Sequence, residues 1–173
     1  LLSIGYAVPG LILAVGMVQL LVYVDNNFLD STGIVLTGSI FGLLLAYIIK
    51  SYALANSSIE SGYERITSSM DDSSKLLGST GWSMLARVHL PLLKTSFLTA
   101  TLLVISEVVK ELPATLILRP FNFETLAVST YIYAAEERMF QAASPAIAIV
   151  LIGLIPIIFL SKMIRSSTQP KRR

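Results

Sequence analysis

No charged side chain occurs from Leu1 to Val24, from Ser31 to Ile49, or from Met139 to Ser161. A helix crosses the hydrocarbon core of a bilayer with about 20 consecutive apolar residues, and each of these runs is near that length or beyond it. A fourth run, Pro91 to Leu112, is apolar in its middle, with Lys94 near one end and Glu107, Lys110 and Glu111 near the other. In lipid every backbone polar group must be paired within the protein, which single helices achieve on their own. The patterning therefore predicts an all-α integral membrane protein, a multi-pass helical bundle with about four transmembrane helices in these 173 residues. A composition of 54% hydrophobic and 14% charged residues excludes a water-soluble domain.

Between the second and fourth runs lies a polar island, about residues 67–91. Thr67 or Ser69 is placed to cap a helix whose first turn carries Asp71 and Asp72, where carboxylates suit the dipole. Gly78 is placed to end that helix in the left-handed conformation. Thr80 is a candidate cap for a second helix, on which Trp82, Leu85, Val88 and His89 fall on one stripe. Pro91 then sits where the next span is expected to begin, where its missing N–H costs little. Two short helices meeting at a glycine corner would form a rigid knob at the membrane surface. The stripe Tyr52, Ile59, Tyr63, Ile66 and Met70 reads as an extension of the second span that props up this knob. That span is expected from about Gly33, after a short turn at Asp25–Asp30, with Gly38, Ser39 and Gly42 allowing close helix approach.

Basic residues set the orientation. Lys50, Arg65, Lys75, Arg87 and Lys94 lie in or beside the island, and Lys162, Arg165, Lys171, Arg172 and Arg173 lie at or after the last span. Four crossings put both groups on one side, the cytoplasm. Asp25–Asp30 and the stretch from about Pro113 to Arg138 are then expected on the other side.

The island's spacing resembles the cytoplasmic signature loop of ABC-importer permeases, Glu-Ala-Ala, three residues, Gly, nine residues, Ile, any residue, Leu, Pro. Asp72 stands for the Glu, Ser73 and Ser74 for the alanines and Val88 for the Ile, while Gly78, Leu90 and Pro91 match outright. Tyr6-Ala7-Val8-Pro9-Gly10, Leu45-Ala46-Tyr47, Ile59-Glu60-Ser61-Gly62 and Leu154-Ile155-Pro156 resemble further stations of that family. The string from Lys110 to Ala127, with Ala135-Glu136-Glu137-Arg138, is similar to its ferric-iron branch. The resemblance implies a permease of the bacterial cytoplasmic (inner) membrane, with coupling loop and C-terminus cytoplasmic. Asp72, Ser73, Ser74, Gly78, Trp82, Val88, Leu90 and Pro91 would contact a dimeric ABC ATPase subunit. A second permease half, fused or separate, and a substrate-binding protein would complete the importer. The lipid bilayer is a further partner, and nucleic acid is not one.

The chain opens on Leu1 inside an apolar run and ends in a basic tail, 165–173. It is therefore expected to be the latter part of one permease half, a partial transmembrane domain over 1–173. Ferric iron prefers carboxylate and phenolate oxygen, but Glu124, Tyr131, Tyr133, Glu136 and Glu137 show no spacing that defines a metal site. Glu107, Lys110 and Glu111 are pathway candidates, with Glu107 and Glu111 on one helix face and Lys110 in reach of Glu107. Other small solutes of the thiamine, polyamine or phosphonate type fit the same architecture. A membrane enzyme is the alternative outside transport. With no cysteine and one histidine, His89, thiolate metal sites and His-pair zinc motifs are excluded. Without a phosphate-cradling Gly-x-x-x-x-Gly-Lys, ATP hydrolysis is expected on a separate subunit, and no cofactor is expected in this chain.

Overall fold

The structure is a computed structural model and describes residues 8–168, with side chains to Lys162. Among these residues there are helices and no strands. Four helical stretches are long and apolar enough to cross a membrane: Gly10–Thr32, Ile40–Tyr63, Gly81–Val109 and Met139–Lys162. Only 11 to 22% of each apolar window is buried within the chain. The remaining apolar surface therefore requires lipid or another protein to cover it. Residues 1–7 and 169–173 lie outside the described residues; so do Tyr6 and Ala7 of the first motif and the last five residues of the basic tail.

The chain divides into two compact units, one of residues 1–53 with 105–173 and one of residues 54–104. Helices α2 (Ile40–Tyr63) and α5 (Leu90–Val109) contribute residues to both.

In the first unit, α1 (Gly10–Val24) and α2 form an antiparallel hairpin. A Cβ on Gly42 would lie 2.6 Å from Leu21, and one on Gly10 would lie 3.2 Å from Lys50 Nζ. Gly42 is thus the close-packing position expected of it. Gly38 is not: with φ +68° it belongs to the turn. The expected turn at Asp25–Asp30 is instead a continuation of α1, as a π-helical turn Asp25–Leu29 and a 3-10 turn Asp30–Thr32. The turn proper is 33–39, and α2 starts at Ile40 rather than near Gly33. One carboxylate accounts for the shift. Asp25 accepts hydrogen bonds from the backbone N–H groups of Leu36 and Thr37, each at 2.9 Å, and from the Thr37 hydroxyl at 2.7 Å.

The stretch after Leu112 also departs from expectation. To the side placement expected of it, it adds two helices that hydropathy did not mark, α6 (Pro113–Leu118) and α7 (Leu126–Ala135). Pro113 opens α6, where no N–H is needed. Ala114 and Leu118 of α6 join Ala14, Met17 and Leu21 of α1 and Leu43 and Ala46 of α2 in one buried cluster. α7 packs along α8 (Met139–Thr168), which extends four residues into the expected tail.

In the second unit, α3 (Ser68–Leu76) and α4 (Gly81–Met84) meet at the expected corner. α4 is not a separate helix before the span. A π-helical turn, Leu85–His89, joins it directly to α5, so Pro91 lies within a continuous helical run rather than at its start. A proline removes one helical N–H and crowds the preceding turn, and the widened turn just before it accommodates both. The same widening spreads the expected stripe: Trp82 is exposed and His89 buried. The longer stripe is cut as well, because α2 ends at Tyr63, Ile66 lies between helices and Met70 belongs to α3.

Candidate functional site

The corner of the second unit is built by two glycines with left-handed backbones, Gly78 (φ +83°) and Gly81 (φ +53°). Nothing lies within 4 Å of a Cβ placed on either, so conformation alone demands glycine there. Thr67 and Thr80 occupy the cap positions, yet neither side chain caps a helix N–H. The Thr67 hydroxyl pairs with that of Ser69 at 2.9 Å instead. Asp72 forms a surface ion pair with Lys75 at 3.0 Å, and this contact holds the Lys75 ammonium above its ordinary value. Ser73 donates to the Ser69 carbonyl at 2.7 Å.

Around the corner three large apolar side chains stand nearly bare: Leu76 (89% exposed), Leu77 (86%) and Trp82 (80%). Burying them would release apolar area worth about 1.5–3 kcal/mol per side chain. Of the residues expected at this surface, Asp72, Ser73, Gly78, Trp82, Leu90 and Pro91 are exposed. Val88 is half-buried and Ser74 is buried.

The corner is anchored by a contact the sequence reading missed. His89, expected on one stripe with Trp82, is buried and bonded through Nε2 to Asp71 Oδ1 at 2.8 Å, with Tyr63 edge-on at 5.9 Å. Asp71 was visible only as a helix-start carboxylate. Leu76 and Leu77 were also missed, although two leucines beside a glycine in a polar island are a readable signal.

The first unit holds a second polar constellation. Glu111 is buried and forms an ion pair with Lys50. Its Oε1 also accepts the Ala114 N–H at 3.2 Å. Thr115 donates to the Glu111 carbonyl at 2.8 Å and receives the Tyr47 hydroxyl at 2.6 Å. Lys50 therefore does not flank the polar island, as the charge count had it. It lies ten residues into α2, about 15 Å along a helix of about 36 Å. Glu107 and Glu111 do not share a helix face, because α5 ends at Val109. Lys110 pairs with Glu107 at 2.8 Å, the i, i+3 contact expected. Gly10, flagged for a kink or close packing, is the packing point: a Cβ there would lie 2.8 Å from Glu111 Oε1.

Outside these clusters, Glu124 receives the Ser129 hydroxyl at 3.0 Å and Glu136 pairs with Arg138 at 3.1 Å. Arg138 also sits 5.0 Å over the Tyr133 ring. These contacts are local. No group of three or more His, Cys, Asp or Glu that could hold a metal ion occurs among the described residues.

Comparison with known proteins agrees with this architecture. The chain is 24% identical over 157 residues to the Fe(3+)-transport system permease protein FbpB 2 of Haemophilus influenzae, covering 91% of this chain and 29% of that protein. It is 29% identical over 119 residues to the putative 2-aminoethylphosphonate transport system permease protein PhnV of Salmonella typhimurium, covering 69% of this chain and 44% of that one. The chain thus spans less than half the length of these curated relatives. The family described as binding-protein-dependent transport system inner membrane component matches residues 1–172. With its four long apolar helices, the chain belongs to that family of inner membrane components.

Proposed function

We propose that this chain forms part of the translocation pathway of an ATP-driven importer and passes on ferric iron delivered by a periplasmic or extracellular binding protein. The observation that carries the reading is the corner at Gly78: a left-handed turn that holds Leu76, Leu77 and Trp82 bare in water. Three such side chains on a small, rigid projection suit a groove on another protein, here a dimeric ATPase subunit whose nucleotide-driven motion they receive. The unburied faces of the four long helices suit a second permease half and lipid. The membrane is the bacterial inner membrane, with corner and C-terminus on the cytoplasmic side. Chemistry here is transport rather than catalysis.

Iron is favoured by the relative that covers 91% of the chain and by the string from Lys110 to Ala127. A phosphonate reading draws on the higher identity of the second relative and on charge balance, since Glu107 and Glu111 are each already paired with a lysine. Uptake of labelled ferric iron against labelled 2-aminoethylphosphonate by the reconstituted importer separates the two.

The coupling role is tested at Gly78. Asparagine visits the left-handed region readily, whereas a β-branched residue does not. Gly78→Val should remain inserted but lose uptake and coupled ATP hydrolysis, and Gly78→Asn should keep most of both. Full uptake by Gly78→Val, with the ATPase still co-purifying, would defeat the assignment.

A further inference from the structure

The Lys50–Glu111 ion pair has no counterpart in the surface corner. Ionisable side chains within spanning helices are costly and tend to mark functional positions. Stability alone is a poor reason for keeping this one, because a buried ion pair is commonly no better than a well-packed apolar pair of the same size. Its location is particular. It lies where the backbone leaves the helix, between the end of α5 at Val109 and the start of α6 at Pro113. Non-helical backbone at membrane depth is tolerated where protein buries it or water lines it. Glu111 supplies that cover by holding the Ala114 N–H on one side and Lys50 of α2 on the other. Gly10 of α1 closes the third side, with no room for even a methyl group.

Beside the pair is a crevice lined by Tyr47, Lys50, Ser51, Glu107, Val108 and Glu111, with a volume of about 10 Å³. That is room for at most a single water. Its lining surface is mostly apolar, and with the pair closed it leaves no larger space for water. Glu107, paired with Lys110 in this conformation, lines the same crevice as Glu111 and is the second carboxylate Lys50 would turn to once the first is released. A lysine with two alternative carboxylate partners gives two discrete arrangements, which is what a switching element requires.

We propose that Lys50 is a positioning residue for transport: it holds Glu111 across the break between α5 and α6 as a latch, closed in this conformation and released during the transport cycle. The inference rests on the reading of the chain as part of an ATP-driven permease. Release exposes the crevice to water, and re-pairing seals it.

The natural absence of cysteine makes Ser51, which is buried and lines the crevice, a clean reporter. Ser51→Cys is introduced into the otherwise native chain, and the assembled importer in proteoliposomes is treated with a small soluble thiol reagent. The reaction should run roughly 5- to 150-fold faster during ATP turnover than without nucleotide, the usual span of coupling between sites. Adding Lys50→Met should raise the nucleotide-free rate to the turnover rate. Equal rates with and without ATP in the Ser51→Cys protein would overturn the latch. That measurement leaves the ion pair intact, so it is decisive even if Lys50→Met fails to assemble. An unchanged ATP dependence after Lys50→Met would overturn it too. If coupled hydrolysis still separates Gly78→Val from Gly78→Asn while Ser51→Cys ignores ATP, the latch alone has failed. If neither responds, the permease reading has failed.

Discussion

The corner around Gly78 and the charged break at Glu111 solve opposite problems with similar residue types. At the corner, apolar side chains stand in solvent while the exposed polar contacts are short-range, Asp72 with Lys75 and Ser73 with Ser69, and the Asp71–His89 bond beneath them spans 18 positions. At the break, charged side chains are withdrawn from solvent and tied across 61 positions of sequence. Exposed leucines and tryptophan cost little until a partner arrives, and then contribute by being covered. A buried charge is costly until it is paired and thereafter resists separation. The contrast teaches where each region's energy resides, the corner's in a contact not yet made and the break's in one already made.

The largest expected effect follows at the break. Glu111→Ala leaves Lys50 without its partner in a confined site and removes the acceptor of the Ala114 N–H. Loss of one member of a buried pair costs about 3–5 kcal/mol, so the amount of assembled protein in membranes should fall sharply. Lys50→Met combined with Glu111→Leu should recover most of that amount, because no orphaned charge remains. Fluorescence-detected size exclusion of tagged variants measures both. If Glu111→Ala assembles as well as the native chain, the two regions do not differ in the way described.

The same contrast explains what was legible in the sequence. Three charge-free runs and a fourth apolar in its middle announced the four spans, and the corner could be read because Gly78 and its flanking helices lie within one local stretch. The ion pair could not be read that way. Counting charges along the chain assigns Lys50 to the nearest polar segment, whereas only the packing of α2 against the start of α6 reveals its partner. The start of α2 was missed for a related reason, since Asp25 reaches eleven and twelve residues ahead to Leu36 and Thr37. α6 was not read as a helix because Pro113 and Pro120 bound one too short for a hydropathy window to register. At the corner itself, the capping threonines were found at the right positions without the expected bonds, and the anchoring His89–Asp71 contact went unseen.

That anchor gives the intermediate effect. His89 bridges the turn before α5 to α3, a bond from a buried side chain that ties the corner down. His89→Leu preserves apolar bulk but strips Asp71 of its bond, a loss of about 1–3 kcal/mol when a polar group is left unsatisfied. Local opening should become about tenfold more frequent, as about 1.4 kcal/mol implies. Trypsin added to the membrane face that exposes the corner should then cut after Lys75 correspondingly faster, whereas His89→Gln, which keeps a polar partner, should stay near the native rate. Equal cleavage of His89→Leu and native protein would mean that the corner is held by something other than this bond.

The smallest effect separates the two neighbouring serines that replace the family's small apolar pair. Ser73 is exposed and its hydroxyl is satisfied by the Ser69 carbonyl, so Ser73→Ala exchanges one hydrated group for another good helix former. Ser74 is 5% exposed, and its hydroxyl has no partner among the described residues. A buried, unpaired hydroxyl opposes folding, and alanine also suits a helix interior better than serine. Ser74→Ala should therefore stabilise the corner by up to about 1 kcal/mol, seen as slower tryptic cleavage after Lys75, while Ser73→Ala leaves that rate within error. The sign is the informative part. If Ser74→Ala instead speeds cleavage or lowers uptake, the hydroxyl is bonded in the assembled importer, and the corner reorganises when its partner covers it. If it slows cleavage and leaves uptake intact, Ser74 is a small residue on the buried face of α3, and the contact surface is confined to Leu76, Leu77, Trp82 and the exposed polar groups beside them.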